Sequence, residues 1–265
     1  MPFLNGEALT LRTYDLDEAD KIVVFFTQRY GKIRAVAPGA KRTRSRFGSA
    51  FEPLTYLQLS VYEKEGAELG RVSHTDILYS PYTGGGHLYR TIYCSYFCEL
   101  INEFTQARDA NDHIFRLALA TLQALDTQLD DEAMIPYAER LARYVEAWML
   151  KLEGYWPSSA VCARCQANTG AEPVRFYLNS ATVLCRRCSD KGGLAISSEA
   201  QAVIHDIFHQ HPAEFAAEPL NSARIGEIEQ ITHRLIVHHL DRPLKSHAPI
   251  KQLIKGVKVS PWQPH

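Results

Sequence analysis

The sequence Cys162-Ala-Arg-Cys165 is followed, after residues 166–184, by Cys185-Arg-Arg-Cys188. Two Cys-x-x-Cys pairs at this separation are typical of a zinc site in which each pair turns two sulfurs towards one point. Four thiolates complete a tetrahedron around one Zn²⁺ and leave no position for water or substrate. The stretch therefore predicts a zinc ribbon at about residues 160–190 with one structural metal. Two disulfides or a redox-active dithiol are the alternatives.

The rest of the chain favours a reducing compartment, in which paired cysteines hold metal more often than disulfides. The N-terminus has neither the basic region nor the apolar run of a signal peptide. No uninterrupted apolar run reaches the ~18 residues of a membrane span. We therefore expect a cytoplasmic protein that does not enter a membrane. Cys94 and Cys98 lie one helical turn apart in an apolar segment and are expected to be buried hydrophobic residues.

The distribution of charge is more informative than its sum. The 265 residues are 46% apolar and 22% charged with a formal net charge of −1, which fits a globular chain of one or two domains. Residues 21–51 hold eight Lys or Arg and no acid, and residues 234–258 hold six against one acid. Residues 99–153 hold eleven acids against five bases. This pattern predicts a polyanion-binding surface and a separate body that binds partners.

Residues 5–80 have the pattern of short β-strands separated by turns. Residues 32–37 are the clearest case, because Ile33, Ala35 and Ala37 alternate with Lys32 and Arg34. Five such runs within about eighty residues predict a small closed barrel, which has no exposed sheet edges, and for a nucleic-acid-binding chain an OB-fold. The predicted strands are residues 7–14, 21–27, 32–37, 54–62 and 69–79.

A strongly basic loop, residues 39–48, separates the third and fourth predicted strands. Lys and Arg on a flexible loop can follow a phosphate backbone, and an aromatic ring can stack on a base. The alternative is a solvated charged loop without a ligand. From the loop and the preceding strand we predict these DNA-binding residues: Lys32, Arg34, Lys41, Arg42, Arg44, Arg46 and Phe47.

From residue 88 onwards the apolar residues recur at helical spacing. The predicted fold class is α+β, with an OB-fold domain at 1–80, a glycine-rich linker at 81–87 and a helical domain at 88–265 that carries the ribbon. The second Cys-x-x-Cys turn presents Arg186 and Arg187 outward. They are either further DNA-binding residues or only solubilising charges.

One segment, His205-Asp-Ile-Phe-His209, is similar to the helical motif of zinc proteases. The glutamate that serves as general base in that motif is replaced by Asp206, and no third ligand is evident. Because the sequence contains no complete nucleophile–base set and no open metal site, we predict a protein that is not an enzyme. A thiol oxidoreductase or a hydrolase is the alternative.

Several motifs follow one another along the chain: residues 11–12 with 18–22, residues 27–37 followed by 39–42, residues 45–48 and 52–55, and Arg242-Pro-Leu-Lys-Ser246 near the C-terminus. In this order, and together with the four cysteines, they resemble the RecO family of bacterial recombination mediators. The resemblance spans nearly the whole chain.

The resemblance implies a protein of gap repair that binds single- and double-stranded DNA and anneals complementary strands. It implies as partners RecR, the acidic C-terminal tail of the single-stranded-DNA-binding protein and, indirectly, RecA, and a place at the bacterial nucleoid. For the acidic tail we predict an apolar groove of the helical body with Arg116, Arg140 and Arg143 at its rim. An RNA-binding or transcription-associated ribbon protein is the other alternative.

Overall fold

The computed structural model describes residues 3–64, 66, 68–82, 88–157, 161–170, 172–220 and 222–257. The chain divides into two compact units, one of Met1–Met134 with Lys245–His265 and one of Ile135–Leu244. Two helices and the C-terminal segment therefore group with the N-terminal strands, whereas the sequence predicted a boundary at residues 81–87. Residues 83–87, the core of that predicted linker, lie outside the described residues.

The first unit is built on a closed barrel of five strands. They are β1 Phe3–Asp15, β2 Lys21–Thr27, β3 Gly31–Ala37, β4 Tyr56–Tyr62 and β5 Gly70–Tyr79. The strand order is β1-β2-β3-β5-β4, β1 also pairs with β4, and β3 runs parallel to β5. This is the five-stranded topology of an OB-fold, as the sequence predicted.

Alternation along the strands separates the barrel interior from its outer surface. Ile33 and Ala35 face the core, while Arg34 is exposed. One end of the interior is closed by Phe47 and Phe51 from the β3–β4 loop, whose ring centroids are 4.9 Å apart.

The outer surface of β1, β2 and β4 is apolar and is covered by two helices, α1 Leu88–Phe104 and α2 Asp112–Ala124. Phe115 of α2 packs on Phe26 and Tyr56, with ring centroids 6.0 and 6.4 Å apart. Asn111 begins α2 by accepting a hydrogen bond from the backbone N–H of Ile114. The helices thus cover one part of the outer surface of the barrel, which includes Phe26 and Tyr56.

The backbone of β3 begins at a glycine that no other residue can replace without strain. Gly31 has a φ of 63°, and a Cβ atom there would lie 2.2 Å from the carbonyl oxygen of Asp109. The α1–α2 connection runs along this strand, because the N–H of Arg108 donates to the carbonyl of Lys32 at 3.0 Å. The close approach fixes α1 and α2 against the barrel.

The C-terminal segment of the first unit returns to α1. Glu99 accepts hydrogen bonds from the backbone N–H groups of Lys245 and Ser246 and from the hydroxyl of Ser246. These groups precede helix α7, His247–Val257, so the carboxylate lies at the positive end of the helix dipole. The motif at residues 242–246 thus supplies the contact that holds this segment.

The second unit contains α3 Asp131–Leu152 from Ile135 onwards, a small sheet and three further helices. The sheet has the order β7-β6-β8, from β6 Val174–Tyr177, β7 Thr182–Cys185 and β8 Leu194–Ile196. The helices are α4 Ser198–His209, α5 Pro212–Ala217 and α6 Ser222–Leu240. No helix in the described part of the chain has both the length and the apolar composition needed to cross a bilayer.

Candidate metal centre and nucleic-acid interface

The four ribbon cysteines converge on one point. The sulfur atoms of Cys162, Cys165, Cys185 and Cys188 all lie within 4.8 Å of one another. Four thiolates at ~2.3 Å from a tetrahedral Zn²⁺ are about 3.8 Å apart. The Sγ atoms of Cys165 and Cys185 are separated by 3.8 Å. The donor set therefore has the size and the chemistry of a site for one metal ion.

The backbone prepares these sulfurs for a cation. The backbone N–H groups of Cys165 and Cys185 donate to the sulfur of Cys162 and lower the pKa of its thiol to about 6, and the contribution of Cys165 is the larger. The adjacent sulfurs, that of Cys165 foremost, raise the pKa of Cys188 to about 12. Four adjacent negative sulfurs repel one another, so full deprotonation of the cluster requires a bound positive ion.

Two arginines extend from the second cysteine turn, as the sequence predicted. Arg186 and Arg187 are exposed between Cys185 and Cys188. The turn is held by hydrogen bonds from the N–H groups of Cys188 and Ser189 to the carbonyl of Cys185, each 3.0 Å long. A metal at the sulfurs would fix the backbone turn from which both side chains extend.

The basic loop is ordered by hydrogen bonds to the β1–β2 turn. Asp20 accepts from the backbone N–H of Gly39 at 2.8 Å, and Ala19 accepts from that of Lys41 at 2.9 Å. The ammonium of Lys41 forms an ion pair with Asp15 at 3.0 Å and donates to the carbonyl of Asp17. The loop is thus a series of anchored turns, and Asp15 partly neutralises the charge of Lys41.

Three of the predicted cations are exposed and uncompensated. The side chains of Arg34, Arg42 and Arg44 form no ion pair or hydrogen bond with the described residues. Arg46 is also exposed, but its guanidinium lies over the ring of Phe47, 4.8 Å from the centroid, and reaches the carbonyl of Val72 at 3.4 Å. These arginines present unneutralised positive charge to solvent.

Two predicted DNA-binding residues have structural roles instead. Only 4% of Phe47 is exposed, because its ring closes the barrel core, so it is not placed to stack on a base. The ammonium of Lys32 donates to the carbonyls of Asn102 and Thr105 at the end of α1. Burial lowers the pKa of Lys32, although Glu103 opposes this shift.

Further cations line a cleft of about 580 Å³ within the first unit. Arg12, Lys21 and Lys245 lie on its walls, together with Gly48 of the basic loop. Glu52 and Glu99 also line it, and Glu99 is bonded to the N–H groups of the C-terminal segment. The sequence alone does not indicate that these residues line one cleft, because they come close together only when the C-terminal segment packs against α1.

The three arginines predicted to bind a partner have different environments. Arg116 is exposed and paired with Asp112, at 2.6 Å. Arg140 donates from Nε to the carbonyl of Ala216 at 2.6 Å. Arg143 is buried, with 8% of its surface exposed. Arg116 is thus the most exposed of the three, Arg140 is half-buried and Arg143 is buried.

The two histidines of the protease-like segment lie on the exposed side of α4. Their rings stack at 3.9 Å, and Nδ1 of His209 bonds to the carbonyl of His205. Among the described residues, the four cysteines are the one group of three or more His, Cys, Asp or Glu side chains that could hold a metal. No third ligand accompanies this pair in that part of the chain.

A barrel with exposed arginines and a helical unit with a four-thiolate ribbon define an OB-fold protein with a candidate metal centre. Residues 1–81 match the family model of the recombination protein O N terminal domain, and residues 86–248 match that of the recombination protein O C terminal domain. The chain belongs to the RecO family of DNA repair and recombination proteins.

The chain aligns with curated relatives over nearly their full length. The chain is 32% identical to the DNA repair protein RecO of Geobacter metallireducens over 248 residues, 93% of this chain and 96% of the relative. It is 30% identical to that of Caldicellulosiruptor saccharolyticus over 97% of this chain and 100% of the relative. It is 29% identical to that of Koribacter versatilis over 90% and 94%. The resemblance predicted from the motifs is confirmed.

Proposed function

We propose that this chain binds DNA without regard to sequence and anneals complementary single strands during repair. The observation that supports this most is that the exposed guanidinium groups of Arg34 on β3 and of Arg42 and Arg44 on the basic loop have no ion-pair partner among the described residues of this RecO-family protein. When such groups neutralise phosphates, the cations condensed on the DNA are released, so affinity falls as salt rises. Two strands held on one positive surface repel each other less, which favours their pairing.

The zinc ion of this proposal is structural. The four cysteine sulfurs would hold it, and when bound it supplies a rigid junction between the two Cys-x-x-Cys turns. A closed set of thiolates leaves no position for a substrate, so we propose a protein that acts by binding and does not catalyse a reaction. Arg186 and Arg187 would then be a second phosphate contact, carried on a turn that the metal holds.

We further propose the partners that family membership supports. These are RecR, the acidic C-terminal tail of the single-stranded-DNA-binding protein and, through them, RecA at gaps in the nucleoid of the bacterial cytoplasm. Among the three arginines predicted for the acidic tail we propose Arg116 as the contact, because its guanidinium is exposed. Arg116→Glu should weaken binding of a tail peptide, measured by anisotropy, and leave DNA binding unchanged. Unchanged peptide affinity would remove Arg116 from the contact.

The loop is tested with Arg42→Glu combined with Arg44→Glu. The affinity for single-stranded DNA should fall more than tenfold, and the salt slope should become shallower by about 1.4, or ~0.7 for each lost phosphate contact. The matched control is Arg29→Glu with Arg116→Glu, two exposed arginines of the same unit that give the same change in net charge. Annealing is followed with labelled complementary strands.

Equal losses in the loop variant and its control would mean that net charge alone governs binding and that the loop is not the contact. Titration with single-stranded DNA, duplex DNA and RNA of equal length tests the RNA-binding alternative. Markedly tighter binding to RNA would favour that alternative, since discrimination requires contacts to the 2′-hydroxyl.

A further inference from the structure

The barrel carries two exposed aromatic rings that the strand register places side by side. Phe3 of β1 is paired with Tyr62 of β4, and their ring centroids lie 4.9 Å apart. Phe3 is 46% exposed and Tyr62 is 50% exposed. The next pair along, Leu4 with Val61, faces the core, so the two rings stand on the outer surface.

A cation completes this row of outward-facing residues. Arg71 of β5 is the register partner of Tyr62 on one side and of Val36 in β3 on the other. Opposite residues in paired strands project to the same face, with Cβ atoms about 5 Å apart. Arg71 is exposed, and its neighbour Val72 points into the barrel. The row therefore runs from Phe3 through Tyr62 to Arg71.

The row lies beside the basic loop. The guanidinium of Arg46 reaches the carbonyl of Val72, the residue next to Arg71. The adjacent acid, Glu63, forms an ion pair with Arg108. The negative charge closest in sequence to Tyr62 is thus compensated.

We infer that Phe3 and Tyr62 form a stacking surface for unpaired bases of single-stranded DNA, with Arg71 as a phosphate contact beside it. This inference rests on the proposed function and adds the part of the nucleic acid that the rings would contact. Every base has a flat π-face, so rings on a positive surface bind single strands with little preference for sequence. Charge complementarity favours a nucleic acid over an apolar protein segment, because the row ends at Arg71 and adjoins Arg46.

The test compares two labelled strands of equal length and charge, oligothymidylate and the same backbone without bases. The full-length protein should bind the strand with bases roughly tenfold more tightly, as expected for base stacking. Phe3→Ala with Tyr62→Ala should bring the two affinities to within about twofold, without changing affinity for the abasic strand or its salt slope. Tyr62→Phe keeps a ring and should retain the preference.

The matched control is Leu78→Ala, which removes an apolar side chain that is also 50% exposed on the barrel and should keep the preference. Thermal unfolding confirms that each variant is folded. A preference for bases that persists in the double variant overturns the stacking surface, as does an equal loss of affinity for both strands. Arg42→Glu with Arg44→Glu separates the two claims: unchanged binding of the abasic strand by this loop variant contradicts the proposed function. Weakened binding by the loop variant, together with a preference for bases that persists in Phe3→Ala with Tyr62→Ala, contradicts only the rings.

Discussion

The ammonium nitrogen of Lys32 lies 2.7 Å from the carbonyl oxygen of Thr105. It donates as well to the carbonyl of Asn102, so a strand of the barrel supplies the positive charge at the C-terminal end of α1. Carbonyls at this end of a helix lack intrahelical partners and carry partial negative charge. A residue that appears in the sequence to be one of many surface cations therefore holds the helix to β3.

Lys32→Met should lower the free energy of unfolding by about 1–3 kcal/mol, because it removes charge-assisted hydrogen bonds and leaves carbonyls unpaired. Arg34→Met on the same strand, which has no such partner, should change it by less than about 0.5 kcal/mol. Urea denaturation measures both. Affinity for single-stranded DNA should show the reverse order, with the larger loss for Arg34→Met. Equal stability of the two variants would contradict the role given to Lys32.

Gly31→Ala should destabilise the first unit strongly, since the new Cβ would lie 2.2 Å from the carbonyl oxygen of Asp109. Gly48→Ala is its matched control: Gly48 also has a positive φ, 51°, but nothing lies within 4 Å of its Cβ position. The left-handed conformation costs both variants about 1–2 kcal/mol. The difference between their melting temperatures therefore measures the effect of the contact with Asp109. Identical melting temperatures would show that the α1–α2 connection can move away from the new Cβ atom at little cost.

Arg143→Met should destabilise the second unit by about 3–5 kcal/mol, because it leaves the carboxylate of Glu146 buried without its positive partner. Arg143 bonds Glu146 at 2.6 Å and Glu229 at 3.4 Å, and Glu146 is 1% exposed. Arg116→Met, which removes an exposed arginine, should change stability by less than about 0.5 kcal/mol. If Arg143→Met had the stability of the unchanged protein but no longer bound the acidic tail, Arg143 would be a partner contact, as the sequence predicted.

The number of reactive thiols should show whether a metal ion is bound to the four ribbon cysteines. The protein has six cysteines, of which Cys94 and Cys98 are buried and have their pKa raised by burial, to about 12 for Cys94. With zinc bound, a thiol reagent should label almost none; a chelator should release about one zinc per chain and expose four thiols, as a four-thiolate site requires. Labelling of six thiols should require denaturant. Four reactive thiols before chelation would contradict the metal site.

Zinc binding should weaken as pH falls. Metal binds the thiolate forms, and the thiol of Cys188, with a pKa of about 12, is still protonated at neutral pH when no metal is present. Binding therefore displaces protons, so affinity rises with pH and is lost on acidification. Metal content after dialysis at about pH 8 should be close to one per chain, and at about pH 5 it should be much lower. Metal content independent of pH over this range would contradict thiolate ligation.

The sequence predicts the barrel well because its signals are local. Alternation in β3 separates Ile33 and Ala35 from Arg34, and the structure keeps that separation. Alternation identifies the outer side of a strand, but it does not tell which part of that side another element covers. Lys32 and Arg34 have the same parity along β3, yet the end of α1 lies over Lys32 and leaves Arg34 in solvent.

The same limit explains why the sequence alone does not reveal the environments of Phe47, Arg143 and Arg71. Phe47 belongs to a basic loop, and only the three-dimensional path of the loop reveals that its ring fills the barrel end. Arg143 lies on the polar side of a helical pattern, but Glu229 of α6 packs against it. The sequence does not show that Arg71 lies beside Val36, because β5 pairs with β3 across the whole β4 segment and no short stretch of sequence contains both residues. Residues fixed by chemistry alone, the four cysteines, were identified without such information.

The contact between Glu99 and Ser246 has a consequence for synthesis of the chain. The first unit is complete only when residues 245–246 are available, whereas Ile135–Leu244 forms a continuous second unit. At the ~5–20 residues per second of translation, roughly ten seconds separate the emergence of the barrel helices from that of the segment that holds α1. On the ribosome the unit that begins first is therefore finished last.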